Sequence, residues 1–425
     1  MRRLTKTRVA TLVVGLTSIV GTLMACSGDA GPAGAAGAPG QNGATGSQGA
    51  AGAQGPSGAG PQGPAGPQGD AGAPGQLPDA GPLAAPNAVY TLSNDPTANE
   101  VIAYARGADG SLTPFGSFPT GGAGTGAGLG DQGALVFDPS TNHFFAVNAG
   151  DNSISMLQLR DDGTLALLSK IGSGGTAPVS VALSGNVLYA LNAGNATIAA
   201  NISGFDVDAA GLAAIPSSTQ PLSGSATPGA AEILFANGGA ALVVTERTAN
   251  KIDTYVVTAG VAGAPTTYAE PSSSEPFGFA LSAGGEIVVT EAWGGAQVGT
   301  TSSFSVAPDG SLTPVSTSVP STQLAPCWIA VVGTWAYEAN TANASITEYS
   351  IAASGALTLV GATGIAGTVG SKPIDIVATP DNAFLYVHNS ASESLSTFAI
   401  AADGSLTKEA DFVGLPSAAA GLVAR

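Results

Sequence analysis

The sequence predicts an all-β fold, a seven-bladed β-propeller with four-stranded blades, preceded by a collagen-like low-complexity stalk. Three observations predict it. One phrase recurs seven times at a fixed period. The two ends of the repeat region are complementary parts of a single blade. Upstream of both, Gly falls at every third position for some fifteen turns of the pattern.

The phrase is clearest at Phe384–Glu409, FLYVHNSASESLSTFAIAADGSLTKE. An aliphatic residue is followed by an aromatic or apolar one three places on and an aliphatic one two further. Examples are Ile154/Leu157/Leu159, Ile252/Tyr255/Val257, Ile346/Tyr349/Ile351 and Leu395/Phe398/Ile400, with a weaker first copy at Val101/Tyr104/Arg106. A turn glycine stands six residues after the middle position at Gly110, Gly163, Gly211, Gly310, Gly355 and Gly404; only the fourth copy departs, with Gly260-Val261. Six periods separate Gly110 from Gly404, about 49 residues each. Asp-Gly between β-rich runs is a hairpin signal. A second hairpin precedes each phrase, with inner apolar strands at Val179–Leu183, Phe277–Leu281, Cys327–Val331 and Ile374–Ala378. Four strands per period of this length make a propeller blade. The first copy begins at its second strand, Ala88–Ser93, and the chain ends on a lone inner strand within Pro416–Ala424. Pairing the two closes the ring and removes both sheet edges, which a β-solenoid would not require.

Residues 1–25 read as a lipoprotein signal peptide. Arg2, Arg3, Lys6 and Arg8 form a positive n-region, Val9 to Gly21 an apolar h-region, and Leu23-Met24-Ala25-Cys26 a cleavage pattern that resembles the bacterial lipobox. That resemblance implies lipidation at Cys26 and anchoring to a membrane by several acyl chains. The expected location is the cell envelope, the outer membrane or cell surface in a Gram-negative cell. Residues 26–85 are the lipidated Cys and a Gly-X-Y stalk or linker, strict from Gly28 to Gly58 and resumed after one slip as far as Gly75. Only Gly fits a triple-helix axis, and extended chain at about 3.1 Å per residue would reach about 150 Å. Two readings stay open: a stalk of a homotrimer, or a flexible spacer. Residues 86–425 form the propeller.

Composition limits the partners. With Arg2, Arg3, Lys6 and Arg8 set aside, the 12 basic residues fall to 8 against 29 acidic, a net charge of −21. No basic stripe exists to neutralise phosphates, so nucleic acid is not an expected partner. The two cysteines are Cys26 and Cys327; anchoring through Cys26 would leave no intrachain disulfide.

In a propeller the loops after the second strand and before the inner strand open on one face, around the central channel. At the end of the second strand the copies read Asn94, Asn148, Asn192, Glu246, Glu291, Asn340 and Asn389. Asparagine there closes the following turn. Glu246 and Glu291 break the rule in neighbouring blades, and Arg247 follows the first. These three are the candidate catalytic residues, with a carboxylate as general base on water and Arg247 steadying an oxyanion. Trp293, Trp328 and His388 at the same mouth are candidate ligand-binding residues. The plainer alternative is a structural Glu–Arg contact and two core tryptophans. His143 and His388, isolated in sequence, make no zinc spacing, so no metal is expected, and no cofactor either. The glycine run Thr120–Gly133 leads into a strand instead of a helix, against a dinucleotide loop. Cys327 at the head of an apolar strand reads as packing.

The DGSLT turns at Asp109, Asp309 and Asp403, with VVTERTANKIDTY (Val243–Tyr255), PFGFALSAGGEIVVTEA (Pro276–Ala292) and CWIAVVGTWAYEANTANASITEY (Cys327–Tyr349), resemble the lactonase propeller family. That family includes 6-phosphogluconolactonase and the carboxymuconate lactonizing enzyme. The resemblance covers about residues 86–425 and implies the seven-bladed fold and cationic and carboxylate residues at the channel, for which Arg247, Glu246 and Glu291 are the matches. A phosphosugar lactone would want more positive charge than this acidic domain offers. Two functions stay in view: an exported, lipid-anchored hydrolase of a small sugar or organic-acid lactone (a carboxylic-ester hydrolase), or a non-catalytic surface module binding carbohydrate or protein.

Overall fold

The computed structural model describes residues 87–295 and 297–425. The expected signal peptide, the expected lipidation site at Cys26 and the collagen-like segment, whether trimeric stalk or flexible spacer, lie outside them.

Seven antiparallel sheets follow one another around a central axis. The inner strands are Leu135–Asp138, Pro178–Ser184, Ala230–Ala236, Pro276–Leu281, Pro326–Val332 and Pro373–Ala378 for blades 2 to 7, and Ala420–Ala424 for blade 1. Each inner strand touches the next around the ring, from blade 2 back to blade 1. The closure expected from the chain ends is present: Val89 pairs with Ala424, Tyr90 with Val423 and Leu92 with Ala420.

Each blade is stacked face to face between two others, so its second strand is buried on both faces. His143–Asn148, Ala241–Glu246 and Phe384–Asn389 are buried at every residue. This is why those strands read as continuous apolar runs. Outer strands have one edge in water, and Leu112–Pro119 and Leu165–Gly172 alternate partly buried with exposed residues. In blades 3 and 6 the outer strand is broken into two short segments, Gly211–Ala214 with Gln220–Pro221 and Leu357–Leu359 with Ile365–Thr368. Pro216, which has no N–H for the ladder, interrupts the first; Gly361 and Gly364, both at positive φ, interrupt the second.

The recurring turn glycine is a joint between blades as well as a hairpin residue. Tyr189 donates its hydroxyl to the carbonyl of Gly260 at 2.9 Å, Ser303 to Gly355 at 2.7 Å, Tyr337 to Gly404 at 2.7 Å and Tyr386 to Gly110 at 2.8 Å. Thr254 makes the same bond to Gly310. In every case the donor belongs to the preceding blade, and Gly260, one place early in its phrase, serves like the others. These glycines sit at φ between +81° and +87°, where a side chain would be strained. The aspartate of each DGS turn accepts from the following Ser: Asp109 Oδ1 takes the Ser111 N–H at 3.0 Å and its hydroxyl at 2.6 Å, and Asp309 and Asp403 repeat the contact.

Candidate functional site

In six blades the end of the second strand behaves as one slot, whereas Asn94 of blade 1 stands one residue further on and bonds to Thr125 and Ala127. Asn148 donates from Nδ2 to Ser153 Oγ at 3.1 Å and Ser155 Oγ at 2.8 Å. Asn389 does the same with Ser394 at 3.3 Å and Ser396 at 3.0 Å. The slot therefore reaches the facing residue on the third strand and the residue two beyond it. Glu291 occupies this slot in blade 5 and accepts from the hydroxyls there, Thr300 and Ser302, and from Ser318 Oγ at 3.1 Å. Glu246 occupies it in blade 4, where the corresponding residues are Lys251 and Asp253. Its carboxylate accepts from the Ser223 N–H at 3.2 Å. Burial, with the neighbouring Asp253 next, pushes its pKa up to about 8, and Lys251 partly opposes the shift.

Both glutamates are fully buried, Glu246 against Ser223 and Glu291 among Thr300, Ser302 and Ser318, and among the described residues no hydrogen bond joins either to Arg247. The convergence expected from sequence fails for a physical reason. A strand side chain at that register faces the neighbouring blade, not the axis, and the exchange of Asn for Glu is absorbed by the partners opposite.

Arg247 takes the other direction. It lies in the loop beyond the second strand, with its guanidinium carbon 5.2 Å from the centroid of the Phe277 ring. Phe277 in turn packs on Trp328, with ring centroids 5.0 Å apart. Facing this group is Asp131, at the end of the long loop that enters blade 2. Burial pushes the Asp131 carboxyl up to about 8, and the positive charge of Arg247 draws it back. Arg247 and Trp328 are thus brought together, with Asp131 and Phe277. Trp328 is fully buried and its indole N–H has no partner among the described residues.

Next to Asp131, Gln132 crosses the channel. Its Nε2 donates to the Ile329 carbonyl at 3.1 Å, joining blade 2 to blade 6. Beyond Gln132, toward the opposite face, lies a cavity of about 310 Å³ lined by the second halves of several inner strands. Two acids line it. Glu232 accepts the Phe279 N–H at 2.6 Å; burial raises its pKa well above the carboxylate range, and Asp375 and Asp131 add to the effect. Burial likewise raises Asp375 to about 8.

Sequence reasoning missed Asp131, Gln132, Glu232 and Asp375. A signal existed for two of them. The third residue of the inner strand reads Ser180, Glu232, Gly278, Trp328 and Asp375, and the pairing register breaks at that place in all five blades. A bulge re-aims nearby side chains, and in blades 4 and 7 the residues just after it, Glu232 and Asp375, line the cavity. Acids inside the apolar strands AAEILFA and PIDIVA were the visible exceptions.

The other expected residues fall elsewhere. Trp293 is half-buried on the rim of blade 5 and donates to Thr300 Oγ1 at 2.7 Å, which ties it to the Glu291 slot. His388 pairs opposite Asp375 in the ladder; burial lowers its pKa to about 4, so it is neutral inside blade 7. His143 bonds through Nε2 to Gln158 at 2.8 Å on the opposite face. The glycine run packs over the neighbouring turns, with Gly150 N–H donating to Ala123 at 3.0 Å and Thr125 N–H to Asn94 Oδ1 at 2.9 Å. Cys327 is buried, with its Sγ 3.2 Å from the Ala325 carbonyl oxygen.

Comparison with known proteins finds a lactonase-family profile over part of the propeller and the same fold in solved structures. The family profile "Lactonase, 7-bladed beta-propeller" matches residues 311–420, and that for the collagen triple helix repeat matches residues 26–84 with 20 copies. Three solved structures share the fold. A periplasmic gluconolactonase from Pseudomonas aeruginosa is 18% identical with a TM-score of 0.62, covering 79% of this chain and 99% of its own. A Bacteroides fragilis protein described as a 6-phosphogluconolactonase is 16% identical with a TM-score of 0.61, covering 80% and 98%. A Bacteroides uniformis protein of the same description is 19% identical with a TM-score of 0.62, covering 78% and 99%. No curated protein matches the chain by sequence.

Proposed function

We propose that the propeller hydrolyses a small lactone at the mouth of its channel, with Arg247 and Asp131 as the working pair. The observation behind this reading is their placement: one guanidinium held over an aromatic ring, within the field of one buried carboxyl across the channel. Arg247 would donate to the lactone carbonyl oxygen and stabilise the charge it gains. Ionised Asp131 would take a proton from water as the water oxygen adds to the carbonyl carbon. The ring C–O bond then breaks, and the departing ring oxygen takes that proton back, giving the hydroxy acid. Asp131 titrating near 8 suits this role, since a base works best when its pKa lies close to the working pH. The fold shared with the gluconolactonase-type structures supports the reaction class. The acidic domain and its single mouth arginine favour a neutral lactone over a phosphorylated one.

The test is a panel of aldonolactones and organic-acid lactones on the full chain, on Arg247→Gln and on Asp131→Asn. Turnover should fall by about two orders of magnitude in each variant, and the wild-type rate should rise with pH through about 8. Turnover indifferent to both substitutions would overturn the assignment. The second reading, a non-catalytic carbohydrate-binding module, is favoured by the Gln132–Ile329 tie that closes the channel behind the mouth. It predicts saccharide binding that depends on Arg247 without any hydrolysis.

We further propose that the domain is exported and lipid-anchored at Cys26, with the collagen-like segment as spacer or trimeric stalk. Thioether attachment of lipid and an intrachain disulfide to Cys327 are mutually exclusive uses of the Cys26 sulfur. The mass of the N-terminal peptide decides: diacylglyceryl-cysteine supports the anchor, and a peptide disulfide-linked to Cys327 overturns it.

A further inference from the structure

The cavity beyond Gln132 is unused by the reaction above. Its upper end holds Glu232 and Asp375, and its walls include Leu234, Phe279, Val377 and Leu422. Asp375 is only 2% exposed, lines this cavity, and leaves Oδ2 without a partner among the described residues. Glu232 is 3% exposed and has a single backbone N–H on one oxygen. Two acids buried at an apolar wall are costly unless something pairs with them. Arg247 does not serve them, because it lies on the far side of the Gln132 bridge against Phe277.

We propose that this cavity is a second binding site, taking a small organic ammonium ion. Asp375 Oδ2 and Glu232 receive the ammonium group, and Leu234, Phe279, Val377 and Leu422 receive its short aliphatic chain. An amine fits the lining better than a bare metal ion. Among the described residues no three His, Cys, Asp or Glu side chains form a metal ligand set, and the walls below the acids are hydrocarbon. A volume of about 310 Å³ is at the lower end of small-molecule sites, enough for a chain of a few carbons. The charged group bearing on the pair is Asp131 above, itself drawn on by Arg247, and the neutral His388 stands opposite Asp375. Because burial raises both acids, the amine displaces their protons when it binds.

Calorimetric titration of the full chain with ethylamine, butylamine and hexylamine, and with butanol as the neutral control, tests this. Butylamine should bind and release protons, more tightly at pH 8.5 than at pH 6, while butanol should not bind. Asp375→Asn should weaken butylamine about tenfold or more, the size of one lost charge-assisted hydrogen bond. Ala280→Phe should abolish binding by filling the cavity without touching a charge. Arg247→Gln should leave amine affinity unchanged while abolishing lactone turnover, which separates this site from the proposed reaction. Equal binding of butanol, an unaltered affinity in a folded Asp375→Asn protein, or binding of calcium or magnesium in preference to the amines would each overturn it.

Discussion

Gln132 Nε2 and the carbonyl of Ile329 meet across the channel axis at 3.1 Å, and the Ile329 N–H returns to Gln132 Oε1 at 3.4 Å. One side chain thereby ties blade 2 to blade 6 and divides the channel into a mouth bearing Arg247 and a cavity bearing Asp375. Gln132→Ala removes both bonds and leaves a buried strand N–H and C=O without a side-chain partner. The expected cost is about 1–3 kcal/mol, read as a lower denaturant midpoint. An unchanged midpoint would mean that the bridge does not stabilise the ring.

The joints between blades give a second expectation. Tyr386 bonds to Gly110 where blade 7 meets blade 1, and Tyr337 to Gly404 where blade 6 meets blade 7. Each Tyr→Phe change should cost about 1 kcal/mol, and the two should add, since they share no partner. Gly404→Ala should cost more, about 1–3 kcal/mol, because the residue sits at φ +87° and a Cβ would meet the Trp335 ring at 2.5 Å. Equilibrium unfolding of the three variants ranks these terms, and an alanine milder than the phenylalanines would contradict the joint.

Stability should fall as pH rises from about 4 to about 8. Burial raises the folded-state pKa of Asp131, Glu270, Glu338 and Asp375 to about 8, and of Glu246 likewise. A raised acid holds its proton in the folded chain after the unfolded chain has released it, so its contribution is full below the unfolded pKa. That contribution is lost as pH climbs toward the folded value. The turn aspartates Asp109, Asp309 and Asp403 are lowered by their bonds to Ser111, Ser311 and Ser405, so their contribution disappears only under more acid conditions. Melting temperatures measured between pH 3 and pH 9 should therefore peak on the acid side of neutrality. A maximum at pH 8 or above would contradict the buried carboxyls.

The architecture was legible because it is written in periodic terms: seven phrases, apolar second strands and turn glycines each repeat. The ring closure was legible because three strands of one blade stand at one end and its inner strand at the other. The channel was harder to read, since its two acids each stand alone in an otherwise apolar inner strand, and a single acid there leaves no periodic trace. Glu246 and Glu291 misled for the opposite reason. They stand out against asparagine in the row, yet Lys251, Thr300 and Ser302 on the adjacent strand already answer them. Of the expected cluster, Arg247 and Trp328 reach the mouth.

That difference can be measured directly by comparing neighbours in sequence. Glu246 and Arg247 are adjacent, but Glu246 turns into the seam against Ser223 while Arg247 lies over Phe277. Glu246→Gln keeps the shape of the slot and removes an acid that burial already disfavours as an anion. It should leave lactone turnover within about twofold and should not lower stability at pH 8, because the desolvation cost of the charged form disappears with the charge. Glu291→Gln should also spare turnover, yet lose stability, because its carboxylate accepts from three hydroxyls that an amide cannot all satisfy. Arg247→Gln should do the reverse of both, sparing stability to within about 1 kcal/mol as a partly exposed cation–π contact while turnover collapses. A loss of turnover in Glu246→Gln as large as that in Arg247→Gln would move the reaction out of the channel and into the seam.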